Sequence, residues 1–97
     1  MDTLQVIAEP TRRSILELVW RDERTAGEIA GHFDVTFGAV SQHLGKLRSG
    51  GLVDVRAEGT RRYYRANRVR LEPFRAMLEA MWASKLDQLA AAVEDHR

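Results

Sequence analysis

Two adjacent glycines, Gly50 and Gly51, divide the middle of this chain into unlike halves that the remaining residues must accommodate. Ahead of them, Val40, Leu44 and Leu47 recur at steps of four and three, which gives a helix one buried face. Thr36 stands where an N-cap belongs. Phe37, Gly38, Ser41, Gln42, Gly45 and Lys46 are left on the other faces. The glycines stop this helix, as residues with left-handed backbone commonly do at a helix end. Beyond them, Leu52, Val53, Asp54, Val55 and Arg56 alternate in polarity, Gly59 marks a turn, and Arg61, Arg62, Tyr63, Tyr64, Arg65 and Ala66 lead back. Two such runs about a glycine-bearing turn make a β-hairpin.

Shorter helices precede this unit. Asp2 with Gln5 three residues later suits a helix start. Leu4, Ile7 and Ala8 then share one face of a helix too short to stand alone. Glu9 and Pro10 end it and begin a second, whose stripe is Ile15, Leu16, Val19 and Trp20, with Arg12, Arg13 and Glu17 expected on the opposite side. The charged residues 21–24 read as a turn. Thr25 and Glu28 fit a capping box for a third helix, which turns Ile29, Ala30 and Phe33 inward. Two short helices joined by a tight turn form a helix-turn-helix, and a hairpin directly after it makes a winged helix. From Glu72 to Asp95 apolar residues again fall at steps of three and four. A helix of that length extends about 30 Å, further than so small a core can cover, so a two-fold partner is expected to cover its far half. The expected fold is mainly α with a small β-hairpin, in the order four helices, two strands, one long helix. Residues 1–97 form one domain, with 1–8 and 71–95 as dimerisation helices. Leu4, Phe74, Leu78, Met81, Trp82, Leu86, Leu89 and Val93 are the expected interface.

The net charge of +1 conceals a strong asymmetry. Residues 35–70 carry eight basic and two acidic side chains, a balance of +6; the flanks, with four basic against seven acidic and three against five, stand at −3 and −2. A basic centre between acidic ends is what a polyanion-binding surface requires. Cysteine is absent, which removes disulfides, thiolate metal ligands and thiol redox chemistry. No signal-peptide pattern and no apolar run of membrane-spanning length occur, so no membrane segment and a cytoplasmic location are expected. Ser, His and Asp are present, but no nucleophile-elbow, Walker or zincin pattern organises them, and an enzyme is not expected.

Several stretches together resemble one family. They are residues 9–13 (Glu-Pro-Thr-Arg-Arg), 25–30 (Thr-Ala-Gly-Glu-Ile-Ala), 40–44 (Val-Ser-Gln-His-Leu), Leu47 with Arg48, 51–53 (Gly-Leu-Val) and 58–64 (Glu-Gly-Thr-Arg-Arg-Tyr-Tyr). In order and spacing they resemble the ArsR family of bacterial winged-helix repressors. The resemblance implies a dimeric transcriptional regulator, usually a repressor of its own operon, whose best-known members release DNA when metal binds. The metal-sensing members carry a Cys-x-Cys pair at positions that are Thr25 and Gly27 here, and neither is a ligand. Other members use Asp, His and Glu pairs on the last helix, where this chain has a single histidine, His96. Transition-metal sites need several convergent nitrogen or sulfur donors, so no metal and no cofactor are expected. The trigger stays open between an organic ligand, a protein partner and no inducer at all.

On double-stranded DNA the helix of residues 36–49 would enter the major groove with its first turns against base edges. Ser41 and Gln42 carry donors and acceptors suited to bases, and glutamine can pair bidentately with adenine. Phe37 could meet a thymine methyl or pack on the preceding helix. Thr36, Gly38 and His43 lie in the same turns, with His43 offering packing or a phosphate contact; Lys46 and Arg48 suit phosphates. In the wing, residues 56–63, Arg56, Thr60, Arg61 and Arg62 are the expected contacts. A symmetric pair of readers matches a palindromic operator with half-sites about 34 Å apart. The alternatives are a winged-helix protein-interaction module without specific DNA binding, which the basic centre disfavours, and a metal-responsive repressor with an atypical site.

Overall fold

A computed structural model describes residues 1–84. Helix α1 (Thr3–Ile7) begins at a capping box: Asp2 accepts from the Gln5 amide at 2.8 Å and the Gln5 side chain accepts from the Asp2 amide at 2.9 Å. Its inward residues are Val6 and Ile7, whereas Leu4 is 55% exposed. Five residues leave most of a helix's carbonyls without intrahelical partners. Helix α2 (Pro10–Arg21) supplies them. Arg12 Nε donates to the Val6 carbonyl at 2.6 Å, and Arg13 Nη1 donates to the Ile7 carbonyl at 2.8 Å. The sequence puts these arginines on the solvent side of α2; the structure buries them, at 5% and 8% exposure. Cations favour helix C-termini, and the carbonyl oxygens supply the hydrogen bonds that a buried guanidinium requires.

The segment expected to be only a charged turn contains a strand, β1 (Arg24–Thr25). It pairs antiparallel with β3 (Arg61–Ala66), which also pairs with β2 (Val53–Glu58), so the expected hairpin is the larger part of a three-stranded sheet ordered β1-β3-β2. Thr25 ends β1 and caps α3 (Ala26–Ala30), accepting from the Glu28 amide at 3.1 Å while Glu28 accepts from the Thr25 amide at 2.9 Å. Residues 31–36 connect α3 to α4 (Phe37–Ser49), a longer link than the three or four residues of a tight turn.

Val40, Leu44 and Leu47 are the buried face of α4, as their spacing predicts. The helix ends in a Schellman motif: the Leu52 amide donates to the Leu47 carbonyl and the Gly51 amide to the Arg48 carbonyl, each at 2.9 Å. Gly51 makes this possible with φ of +72°, a conformation costly for any residue bearing a Cβ. Leu47 and Leu52, the apolar pair of the motif, are fully buried. The Leu52 carbonyl then accepts from the Asn67 amide at 2.9 Å, which closes the base of the hairpin.

The long C-terminal helix expected from Glu72 starts differently. Helix α5 (Arg68–Leu71), capped by Asn67, passes into a 3-10 turn (Glu72–Phe74), and α6 (Arg75–Ser84) follows. Pro73 lacks an amide hydrogen, which suits the start of a helical segment and not its interior. Leu71 and Leu78 are fully buried in the core formed by Ile15, Leu16, Val19, Ile29 and Leu47. Trp82 packs edge-on against Trp20 with ring centroids 5.5 Å apart, and its indole N–H donates to the Arg13 carbonyl at 3.0 Å. Among the described residues no helix is long and apolar enough to cross a membrane.

Candidate nucleic-acid interface

With one face of α4 buried, the other faces outward. Thr36 caps it by accepting from the Ala39 amide at 3.1 Å. Thr36, Gly38, Ser41, Gln42, Lys46 and Arg48 are exposed. Phe37 is 57% exposed, so of its two readings the structure excludes burial against the preceding helix. His43 lies apart from this set: half-buried, with Nδ1 3.6 Å from Glu9 Oε2 and 3.4 Å from Arg12 Nη1. Of its two expected roles, packing or a phosphate contact, these neighbours at the α1–α2 corner favour packing.

The wing stands beside the start of α4. Glu58 pairs with Arg61 across the turn, and Gly59 takes φ of +62° in the two-residue loop. Phe37 and Ser41 of α4, Thr60, Arg61, Arg62, Tyr63 and Tyr64 of the wing, and residues 25–28 line one open groove. Paired residues share a face of a sheet. Val53, Val55, Tyr64 and Ala66 thus lie on the core side, and Arg56, Glu58, Arg61 and Tyr63 on the outer side. Of the two tyrosines, Tyr64 packs on the core. Arg61, Arg62 and Arg65 are exposed, and among the described residues their side chains make no hydrogen bond or ion pair.

Arg56 differs from them. Its Nε and Nη2 donate to the two carboxylate oxygens of Glu23 at 3.1 Å each, its Nη1 donates to Glu58 at 2.6 Å, and its guanidinium lies 4.7 Å over the Tyr63 ring. The Arg56 hydrogen bonds hold the Glu23 carboxyl below its ordinary value of 4.5, and the two carboxylates raise Arg56. The capping bonds of Thr25 lower Glu28 in the same direction. Arg56, one of the expected DNA contacts, is thus the wing arginine that the protein itself engages in this structure. Sequence reasoning missed Glu23, whose partner lies 33 residues away and leaves no local signal.

The residues expected at a dimer interface separate. Leu78 is consumed by its own core, and Phe74 and Trp82 pack partly on it. Met81 is half-buried, while Leu4 stays exposed. Leu86, Leu89 and Val93 lie outside the described residues. At the family's cysteine positions the donors do not fit a metal: the Thr25 hydroxyl is the α3 cap and Gly27 has no side chain. Among the described residues no three His, Cys, Asp or Glu side chains gather closely enough to hold an ion.

Residues 9–55 match the bacterial regulatory protein, arsR family. Over 90 residues the chain is 36% identical to the HTH-type transcriptional regulator Rv2034 of Mycobacterium tuberculosis, covering 93% of this chain and 84% of that one. Over 66 residues it is 35% identical to the transcriptional repressor SdpR of Bacillus subtilis, covering 68% and 73%. Among solved structures it is similar to a possible transcriptional regulator for arsenical resistance, with 41% identity, a TM-score of 0.72, and coverage of 95% and 96%. It is also similar to a homodimeric winged helix-turn-helix DNA-binding domain of Mycobacterium bovis, with 33% identity, a TM-score of 0.70, and coverage of 84% and 76%. This chain therefore belongs to the ArsR family of bacterial regulatory proteins, a transcriptional regulator on a winged helix-turn-helix DNA-binding fold and not an enzyme.

Proposed function

We propose that two copies of this chain bind a palindromic operator and repress the genes beside it. The observation that carries the reading is the single groove shared by Phe37 and Ser41 of α4 and the arginines of the wing tip. In it, a duplex would meet base-reading and phosphate-holding groups together. Ser41 and Gln42 select bases, Phe37 meets a thymine methyl, and Arg61, Arg62, Lys46 and Arg48 hold the backbone. Thr36 and Thr60 add neutral phosphate contacts, and Gly38 lets the helix start approach closely.

One protomer makes too few base contacts for an operator to stand out in a genome, so the reading needs the dimer. Segments 1–8 and 71–95 are proposed to form it. Exposed Met1, Leu4 and Met77 support this, as does the homodimeric state of the similar M. bovis domain. The direction of control is proposed from the similar repressor of B. subtilis. An organic ligand or a protein partner is a more fitting trigger than metal, given the donors at Thr25 and Gly27. The test recovers and sequences genomic DNA bound to the protein, then titrates that sequence and a scrambled one at two salt concentrations. Selective, salt-sensitive binding by a dimer is expected. Equal affinity for both sequences, or selective binding by a monomer, would refute the reading.

A further inference from the structure

Among the arginines of the wing, Arg56 alone is clamped by protein on two edges and one face. Both Glu23 oxygens take one edge of the guanidinium at 3.1 Å, Glu58 takes the adjacent nitrogen at 2.6 Å, and the Tyr63 ring lies 4.7 Å beneath. The position is not remote from the proposed reader. Arg56 sits opposite Tyr63 in the strand register, on the face that also carries Arg61, and Tyr63 and Arg61 both line the groove. Glu23 comes from elsewhere, the corner between α2 and β1, where nothing in the hairpin requires a carboxylate.

Exposed ion pairs add little to stability, so fold maintenance is a weak reason for three carboxylate contacts on one surface arginine. Their effect on charge is larger. A guanidinium is built for bidentate contact with a phosphate as much as with a carboxylate. Each phosphate contact adds affinity for any sequence, cognate or not. An arginine withheld from phosphate therefore lowers background binding and leaves discrimination to the base-reading helix.

We infer that Glu23 sets the sequence-independent affinity of the DNA interface without touching DNA: it sequesters Arg56 and so limits binding to any duplex. This rests on the DNA-binding reading above. Loosened on one edge by Glu23→Gln, which removes the charge and one of the two acceptor oxygens, Arg56 can offer that edge to phosphate while Glu58 still holds the other nitrogen.

The test measures operator and scrambled-DNA affinity over a salt series for the full chain and three variants. Glu23→Gln is expected to bind operator and scrambled DNA alike several-fold more tightly, to keep the operator preference, and to steepen the salt slope by about 0.9 for each added phosphate contact. Arg56→Ala is expected to keep the wild-type slope, because Arg56 is withheld to begin with. The double variant is expected to return to that slope, which separates release of Arg56 from the mere loss of a negative charge. An unchanged slope in Glu23→Gln, a flatter one in Arg56→Ala, or a double variant as steep as Glu23→Gln would each overturn the inference. A wild-type chain that binds no DNA would instead overturn the proposed function, and this inference with it.

Discussion

Trp82 donates to the backbone carbonyl of Arg13 across 3.0 Å, while the side chain of that same arginine donates to the carbonyl of Ile7. Three helices, α6, α2 and α1, thus meet at one residue. Trp82→Phe should retain most of the packing against Trp20 and lose the hydrogen bond, at a cost of about 1 kcal/mol. Trp82→Ala should cost about 2–4 kcal/mol through the lost aromatic contact and burial. Urea unfolding followed by circular dichroism distinguishes the two; no loss in Trp82→Phe would mean that the N–H contributes nothing, and equal losses that the packing against Trp20 contributes nothing.

Arg12→Met keeps an apolar stem but leaves the Val6 carbonyl without its donor at 2.6 Å. Destabilisation of about 1–3 kcal/mol is expected, concentrated in α1. Amide hydrogen exchange checks it, with faster exchange at Val6 and Ile7 than at Leu44 and Leu47. A uniform change across the chain would count against a local capping role.

Two glycines of the α4 region should respond in opposite directions. A Cβ on Gly45 would meet nothing within 4 Å, and replacing a mid-helix glycine by alanine removes backbone entropy, so Gly45→Ala should stabilise by about 0.5–1 kcal/mol. Gly51 has φ of +72° and the Arg70 guanidinium 3.4 Å from its would-be Cβ, so Gly51→Ala should destabilise by about 1–2 kcal/mol. Thermal melting of both variants reads the signs directly.

Contacts to bases and to phosphates should separate by mutation. Gln42→Ala is expected to cost about 1–3 kcal/mol at one operator position and to relax the base preference there. Arg62→Ala should weaken binding to every sequence and flatten the salt slope by about 1. Competition titrations with single-base operator variants measure the first, and salt titrations the second. An unaltered preference in Gln42→Ala would remove that residue from the reader.

Acid should loosen the corner that Glu23 and Glu28 hold. Their folded values lie below the ordinary 4.5, so their contribution is complete above that value and is lost as pH falls through the lower folded values. Stability measured from pH 6 downward should decline below about 4.5. In Glu23→Gln that decline should be shallower; an unchanged acid limb would mean that the Arg56 contact carries no linkage.

The parts of this molecule that declared themselves in the sequence are those whose cause is local. Thr25 and Glu28 stand three residues apart because a capping box closes over that distance, and Val40, Leu44 and Leu47 announce a face by spacing alone. Strand β1 left no such sign: two polar residues become a strand only because Tyr63 and Tyr64 arrive beside them from nearly forty positions away. Arg12 and Arg13 misled for a related reason. Helical periodicity gives the side of α2 on which they stand, but not that α1 folds back over that side and offers its carbonyls. At the candidate site the same division holds. The exposed row on α4 follows from its buried row, whereas the clamp on Arg56 joins elements with no relation in the linear chain.

The Leu52 amide holds the end of α4 and its carbonyl holds the start of α5, with β2 beginning at the next residue. No slack separates the helix that would enter a groove from the hairpin that would lie along the backbone. The two behave as the jaws of a caliper with a fixed opening. Under the proposed function, a duplex is then gauged by groove width and local twist before any base is read, and sequences that cannot adopt the set spacing pay in deformation of the DNA instead of the protein.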